Sequence, residues 1–239
     1  MKVGHIFLTS VTLTPLLLIT GSVMNLPFST EQFLAVFEAY NQSVWPSQVG
    51  LNFLALVGLY LANRPLSSSG RAISAILAFL WLWIGIVYHF FFFTAINPAA
   101  YVFAVLNILQ AFLFLEFGLR RRQLEFEFQQ DVYGYIGALL ILYALLVYPI
   151  LGSFLGHAYP KSPTFGLPCP TTIYTFGLLL WTRTRTPVWV LLIPLIWSFI
   201  GFSAAITMGI QEDIGLLVAG ICGTVLILMR NKKRSVEGN

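Results

Sequence analysis

The stretch YPKSPTFGLPCPTTIYTFGLLL, Tyr159 to Leu180, is where an otherwise apolar chain breaks into chemistry. Prolines, the paired Thr171 and Thr172, and Cys169 stand at the head of an apolar run from Pro170 to Trp181. At about 1.5 Å per residue this run makes roughly 18 Å of helix, against a hydrocarbon core of about 30 Å. Either the helix begins below the membrane surface or the bilayer thins around it. The first option puts the irregular backbone of Ser162 to Pro168 inside the membrane. That is allowed only where protein encloses it or it lines a watery cavity. Pro170 suits the first helical position, with Cys169 as the cap. The N–H groups of Thr171 and Thr172 would then face the cavity at the positive end of the helix dipole. Discontinuous helices of this kind build binding sites in transporters. A kinked, proline-led helix packed quietly in a bundle carries the same pattern.

Around this stretch the text is transmembrane. Of the 239 residues 58% are hydrophobic and 9% charged, well under the roughly 25% charged content of soluble domains. Apolar runs fall at 6–23, 45–63, 72–96, 99–118, 133–155, 187–208 and 213–230, besides the short one. The expected fold is an all-α polytopic bundle of seven or eight spans, with one short or broken helix. Residues 1–23 read as a transmembrane or signal-like segment, 24–230 as a single transmembrane domain, and 231–239 as a basic cytoplasmic tail. Ser29 and Gln32 make a capping box for a helix through Val44. Phe33, Phe37, Tyr40 and Val44 share one face of it, with Glu31, Glu38 and Gln42 opposite, as in an outer interfacial helix. Asn97-Pro98 predicts a tight turn and Pro149 a kink.

The basic residues sort by side. If each run crosses once, one side holds Lys2, Arg64, Arg71, Arg120 to Arg122, Arg183, Arg185, Arg230, Lys232, Lys233 and Arg234. The other keeps Lys161. Positive charge stays cytoplasmic, so the C-terminus is expected inside. The net charge of +4 is therefore a topology signal, and nucleic acid is not an expected partner; the lipid bilayer is.

The same topology places His89, Asn97, His157, Lys161, Cys169, Glu212 and Asp213 toward the outer side. Three readings of Cys169 stand: a thiolate activated at a helix N-terminus, a soft site for copper or zinc with His157 and, as a further ligand, His89 or Asp213, or a small buried apolar residue. His89 is a functional candidate as an ionisable group within the membrane, or an imidazole bonded to a carbonyl. Asp213 is a cap of the last helix or a proton or cation acceptor at the outer mouth. Glu116 and Arg120 are spaced for an interfacial ion pair, Asn52, Asn107 and Gln110 for interhelical hydrogen bonds or a polar pathway, and small-residue packing explains Cys222.

The segments LPFSTEQFLAVFEAYNQSVWPSQ and FGLPCPTTIYTFGLLL resemble a bacterial membrane-protein family known as domain of unknown function 6064. The resemblance implies a multi-pass protein of the bacterial inner membrane over roughly residues 24–230, with 1–23 as an extension. It implies no established activity and carries over no catalytic residue.

Phosphate-binding loops, dinucleotide fingerprints, zinc motifs and hydrolase elbows are absent from the sequence. No cofactor is required, though a soft metal ion is allowed. The leading expectation is binding or transport of a small solute or ion at an outward site lined by His89, His157, Cys169, Thr171, Thr172 and Asp213. The alternatives are an intramembrane enzyme using a Cys169 thiolate with His157 as base, and a structural or sensory membrane protein.

Overall fold

The computed structural model describes residues 26–64 and 66–237; the apolar run at 6–23 lies outside them. Every regular element among the described residues is helical. Helix α1 (Thr30–Val44) starts at the expected box: Ser29 Oγ accepts from Gln32 N–H at 3.2 Å, and Gln32 Oε1 from Ser29 N–H at 2.8 Å. At Trp45-Pro46 the chain turns by 85° into α2 (Ser47–Asn63). Phe37 and Tyr40 of α1 meet the ring of Tyr88, so α1 lies across one end of the bundle with its apolar stripe downward.

Helix α3 (Ser69–Trp83) continues through a π-helical turn, Ile84–Phe92, to Ala95. Asn97 Oδ1 accepts from Ala99 N–H at 3.0 Å and makes the expected tight turn into α4 (Ala100–Phe114), which runs on to Arg120. Asp131 then caps α5 (Val132–Leu142), accepting from Gly134 N–H at 2.7 Å. A π turn, Tyr143–Val147, joins α5 to α6 (Tyr148–Phe154) and takes up the missing donor of Pro149 by widening the helix. The remaining helices are α7 (Pro168–Leu179), α8 (Val188–Met208) and α9 (Ile214–Glu237), the last entered by a 3₁₀ turn at Gln211–Asp213.

Five of these continuous helical runs are long and apolar enough to cross a membrane, or six if the bent α1–α2 pair is one span. The seven or eight spans expected are not all of that kind. Helix α2 has 17 residues and α7 has 12, and α7 is enclosed by the rest of the protein. Eleven of the twelve residues of α7 are buried, so it has no face for a bilayer. Helix α9 runs on through the basic residues that follow Arg230, to Glu237.

Helix α7 is the axis on which the others pack. Tyr174 Oη donates to the Ala55 carbonyl of α2 at 2.8 Å, and Trp81 Nε1 of α3 donates to Thr175 Oγ1 at 3.0 Å. Trp181 Nε1 donates to the Gly134 carbonyl of α5 at 2.9 Å. Glycine permits the closest approach: a Cβ on Gly137 would stand 2.7 Å from the Gly177 carbonyl oxygen, and one on Gly177 would stand 2.8 Å from that of Gly137. Around this core, large apolar side chains such as Phe53, Leu56, Val102, Leu139 and Phe199 are exposed along the helices, the pattern of a lipid-facing surface.

The two ends of the bundle differ. At one end, Phe128 N–H donates to the Ala62 carbonyl and Arg183 N–H to the Glu125 carbonyl. This gathers Arg64, Arg71, Arg120 to Arg122, Arg183 and the end of α9, and is called the arginine end below. Arg230 is buried there, donating to the carbonyls of Leu179 and Leu180 and to Thr182 Oγ1. It supplies α7 with the cationic C-cap that its own sequence lacks. The expected Glu116–Arg120 pair forms there too, with Arg121 as a third partner at 2.7 Å.

Candidate functional site

The opposite end contains the proline-rich stretch, and its irregular backbone is fastened by α1 and α2. Asn41 Nδ2 donates to the carbonyls of Pro160 at 2.6 Å and Ser162 at 2.8 Å. Gln48 Nε2 donates to Asn41 Oδ1 at 2.6 Å and to Thr164 Oγ1 at 3.1 Å. Most of 162–168 is buried, so protein encloses the backbone that the sequence placed below the surface. Sequence reading missed Asn41 and Gln48. The signal was available for Asn41: an amide beside Tyr40 on the apolar stripe of α1.

Helix α7 begins two residues before the expected start. Leu167 is the N-cap, Pro168 takes the first helical position, and Cys169 lies within the first turn. The threonine N–H groups are not open to the cavity as expected. Thr171 N–H donates to the Leu167 carbonyl at 3.3 Å, and its Oγ1 accepts from Gly166 N–H at 3.2 Å. Gly166 has a φ of 99°, which gives the chain the left-handed turn needed to enter the helix. Thr172 is fully buried, its hydroxyl without a partner among the described residues.

Above this turn is a cavity of about 100 Å³. Its wall is mostly aromatic and aliphatic, from α1, the end of α3 and α8, with Cys169, Asn97 and Asp213 among its polar members. Asp213 is buried, and Tyr148 Oη donates to its Oδ1 at 2.6 Å. The Cys169 thiol meets the same carboxyl on one side and the Trp197 indole on the other. That indole N–H has no acceptor better than this sulfur, a weak one. Gly201 opens the α8 wall: a Cβ there would lie 3.6 Å from Cys169 Sγ.

The six expected site residues are thus divided. Cys169 and Asp213 line the cavity together. His89 stands behind Trp197, its ring 5.0 Å from the indole, fully buried with neither nitrogen hydrogen-bonded. The π turn carries it into an aromatic cage with Tyr88 and Phe103, not to the carbonyl that the structural reading supplied. Thr171 and Thr172 belong to the wall of α7. His157 faces another partner, with Nδ1 3.0 Å from Glu212 Oε1. Glu212 is buried and leaves Oε2 unpartnered, and its backbone carbonyl accepts from Tyr143 Oη at 2.6 Å.

Cys169 and His157, offered as partners by the sequence, take different neighbours. His157 pairs with Glu212 and Cys169 with Asp213, so the thiol has no imidazole base beside it. Among the described residues no group of three or more His, Cys, Asp or Glu side chains is placed to hold a metal ion. The polar residues elsewhere also differ in detail. Gln110 bonds across helices, to the Val190 carbonyl, whereas Asn52 and Asn107 turn back to Gln48 and Phe103 on their own helices. Cys222 is exposed, and it is Gly215 and Gly223 that take neighbouring rings, from Tyr143 and Phe176.

An all-α bundle of membrane-length apolar helices, wrapped around one short buried helix with a closed polar cluster at its head, defines the class. The chain belongs to the DUF6064 family, a family of unknown function, whose model matches residues 30–238. No curated protein and no solved structure matches the chain.

Proposed function

We propose that this protein is a polytopic cell-membrane protein that binds a small solute at the end of the bundle opposite the arginines. That end faces outward if the arginines are cytoplasmic. The observation that carries the reading is Asp213: a carboxyl set into the wall of an otherwise apolar cavity, held by Tyr148 and facing Cys169. Such a cavity favours a small molecule with an apolar body and one donor or cationic group for the carboxyl. A bare hydrated ion fits it poorly, because the aromatic wall offers too few oxygens to replace its water. The buried α7 fills the middle of the bundle, so binding is the activity supported; passage across the membrane would require α7 or α8 to move.

The test uses detergent-purified protein and the n-alkylamines from propylamine to hexylamine, with the matching alcohols as uncharged controls, titrated by calorimetry. Binding is expected to pass through an optimum chain length, to weaken in Asp213→Asn for the amines, and to vanish in Ala204→Phe, which fills the cavity. Binding that Ala204→Phe leaves unchanged would remove the cavity from the reading, as would no binding across the series.

A further inference from the structure

We infer that the arginine end carries a second site, for a phosphate-bearing anion, between the head of α3 and the loop following Arg120. A cavity of about 320 Å³ opens there, and three arginines, Arg71, Arg122 and Arg183, are among the residues that line it. They come from three separated parts of the chain. Residues serving only as topology anchors need no common cavity; these three share one.

The charges are not equally engaged. Arg183 is held by Glu127 at 2.9 Å, whereas no described residue forms an ion pair with Arg71 or Arg122. Glu125 also lines the cavity and opposes an anion, leaving an excess of positive charge. The backbone adds donors of the right sign. Ser69 N–H is taken by the Leu66 carbonyl, while Gly70 and Arg71 occupy the first turn of α3, where N–H groups have no intrahelical acceptor. Gly70 is needed for this geometry: a Cβ there would stand 2.5 Å from the Leu124 carbonyl oxygen, pushing the loop off the helix end. Arg122 has a φ of 53°, a left-handed conformation unusual for a side-chain-bearing residue.

The chemistry of two free guanidiniums with helix-end donors is that of phosphate recognition. A basic pocket between spanning helices at the cytoplasmic end fits the headgroup of an anionic lipid, with its acyl chains along the exposed apolar helices. A free phosphate offers the same oxygens, and the experiment separates the two sources. It concerns the other end of the molecule from Asp213, so its outcome is independent of the solute-binding test.

Full-length protein in dodecylmaltoside is titrated with dioctanoylphosphatidylglycerol, dioctanoylphosphatidylcholine and inorganic phosphate at constant ionic strength, following thermal unfolding. Phosphatidylglycerol is expected to stabilise the protein and phosphatidylcholine is not. Stabilisation by inorganic phosphate as well would identify a soluble phosphate as the source, and its absence a lipid. The R71Q/R122Q protein should need about tenfold more phosphatidylglycerol or more for the same response. Ser67→Trp, which blocks the cavity and keeps every charge, should lose the response as well and covers the case in which the arginine variant does not fold. Equal responses to the two lipids with none to phosphate, or a full response retained by either folded variant, would overturn the site.

Discussion

Tyr148 Oη donates to Asp213 Oδ1 at 2.6 Å, joining the head of α6 to the turn that enters α9 beside the cavity. Removing that hydroxyl leaves a buried carboxyl oxygen without its donor. Tyr148→Phe is expected to lower stability by about 1–3 kcal/mol, read from thermal unfolding in detergent. Asp213→Asn should cost less, because an amide can still accept from Tyr148. If Tyr148→Phe proves neutral, the carboxyl is not held as described.

The crossing of Gly137 and Gly177 sets a steric prediction. Alanine at either position places a methyl 2.7–2.8 Å from a backbone oxygen of the facing helix, which no rotamer can relieve. Each variant should lose about 1–3 kcal/mol. Gly50→Ala, whose Cβ would meet nothing within 4 Å, is the matched control and should be neutral or slightly stabilising.

Arg230 offers a third. Replacement by methionine keeps the stem but strips the carbonyls of Leu179 and Leu180 of a buried charged donor, with an expected loss of about 2–4 kcal/mol. Arg230→Lys should recover part of it. Arg120→Gln, at an exposed pair, should stay within about 1 kcal/mol of the parent.

Cysteine labelling separates the two thiols. Cys222 faces outward from α9 and Cys169 lies among Asp213, Trp197 and Gly201. A lipid-soluble maleimide too bulky for the cavity, applied to folded protein, should modify one thiol, the adduct mapping to Cys222, with Cys169 reacting only after denaturation. Rapid labelling of Cys169 in the folded state would contradict the closed cluster.

Much of the architecture could be read from the chain because membrane helices write their length in apolar residues and their ends in arginine and proline. The capping box at Ser29 and Gln32, the turn at Asn97 and the short central helix are all local signals, and local chemistry decides them. What could not be read depends on which way a side chain turns across space. Arg230 looks like any basic residue of a tail, yet it reaches back fifty residues to the end of α7. Asn41 and Gln48 hold a loop more than a hundred residues further along. Cys169 and Asp213 could be placed on the same side of the membrane, but not in the same cavity. His157 could not be assigned to Glu212, since a one-residue shift in the 3₁₀ turn would have offered it Asp213 instead.

The enclosure of α7 also bears on the order of assembly. Twelve residues cannot rest in a bilayer alone, and the carbonyls at their end would go unmet in lipid. The hydrogen bonds from Trp81 and Arg230, and those to Ala55 and Gly134, come from helices that flank α7 in the chain on both sides. The segment at the centre of the protein is therefore expected to settle last, after α9 has left the ribosome. A chain truncated before Arg230 should insert its long helices and still present Tyr174 and Trp181 to proteases that the complete protein keeps out.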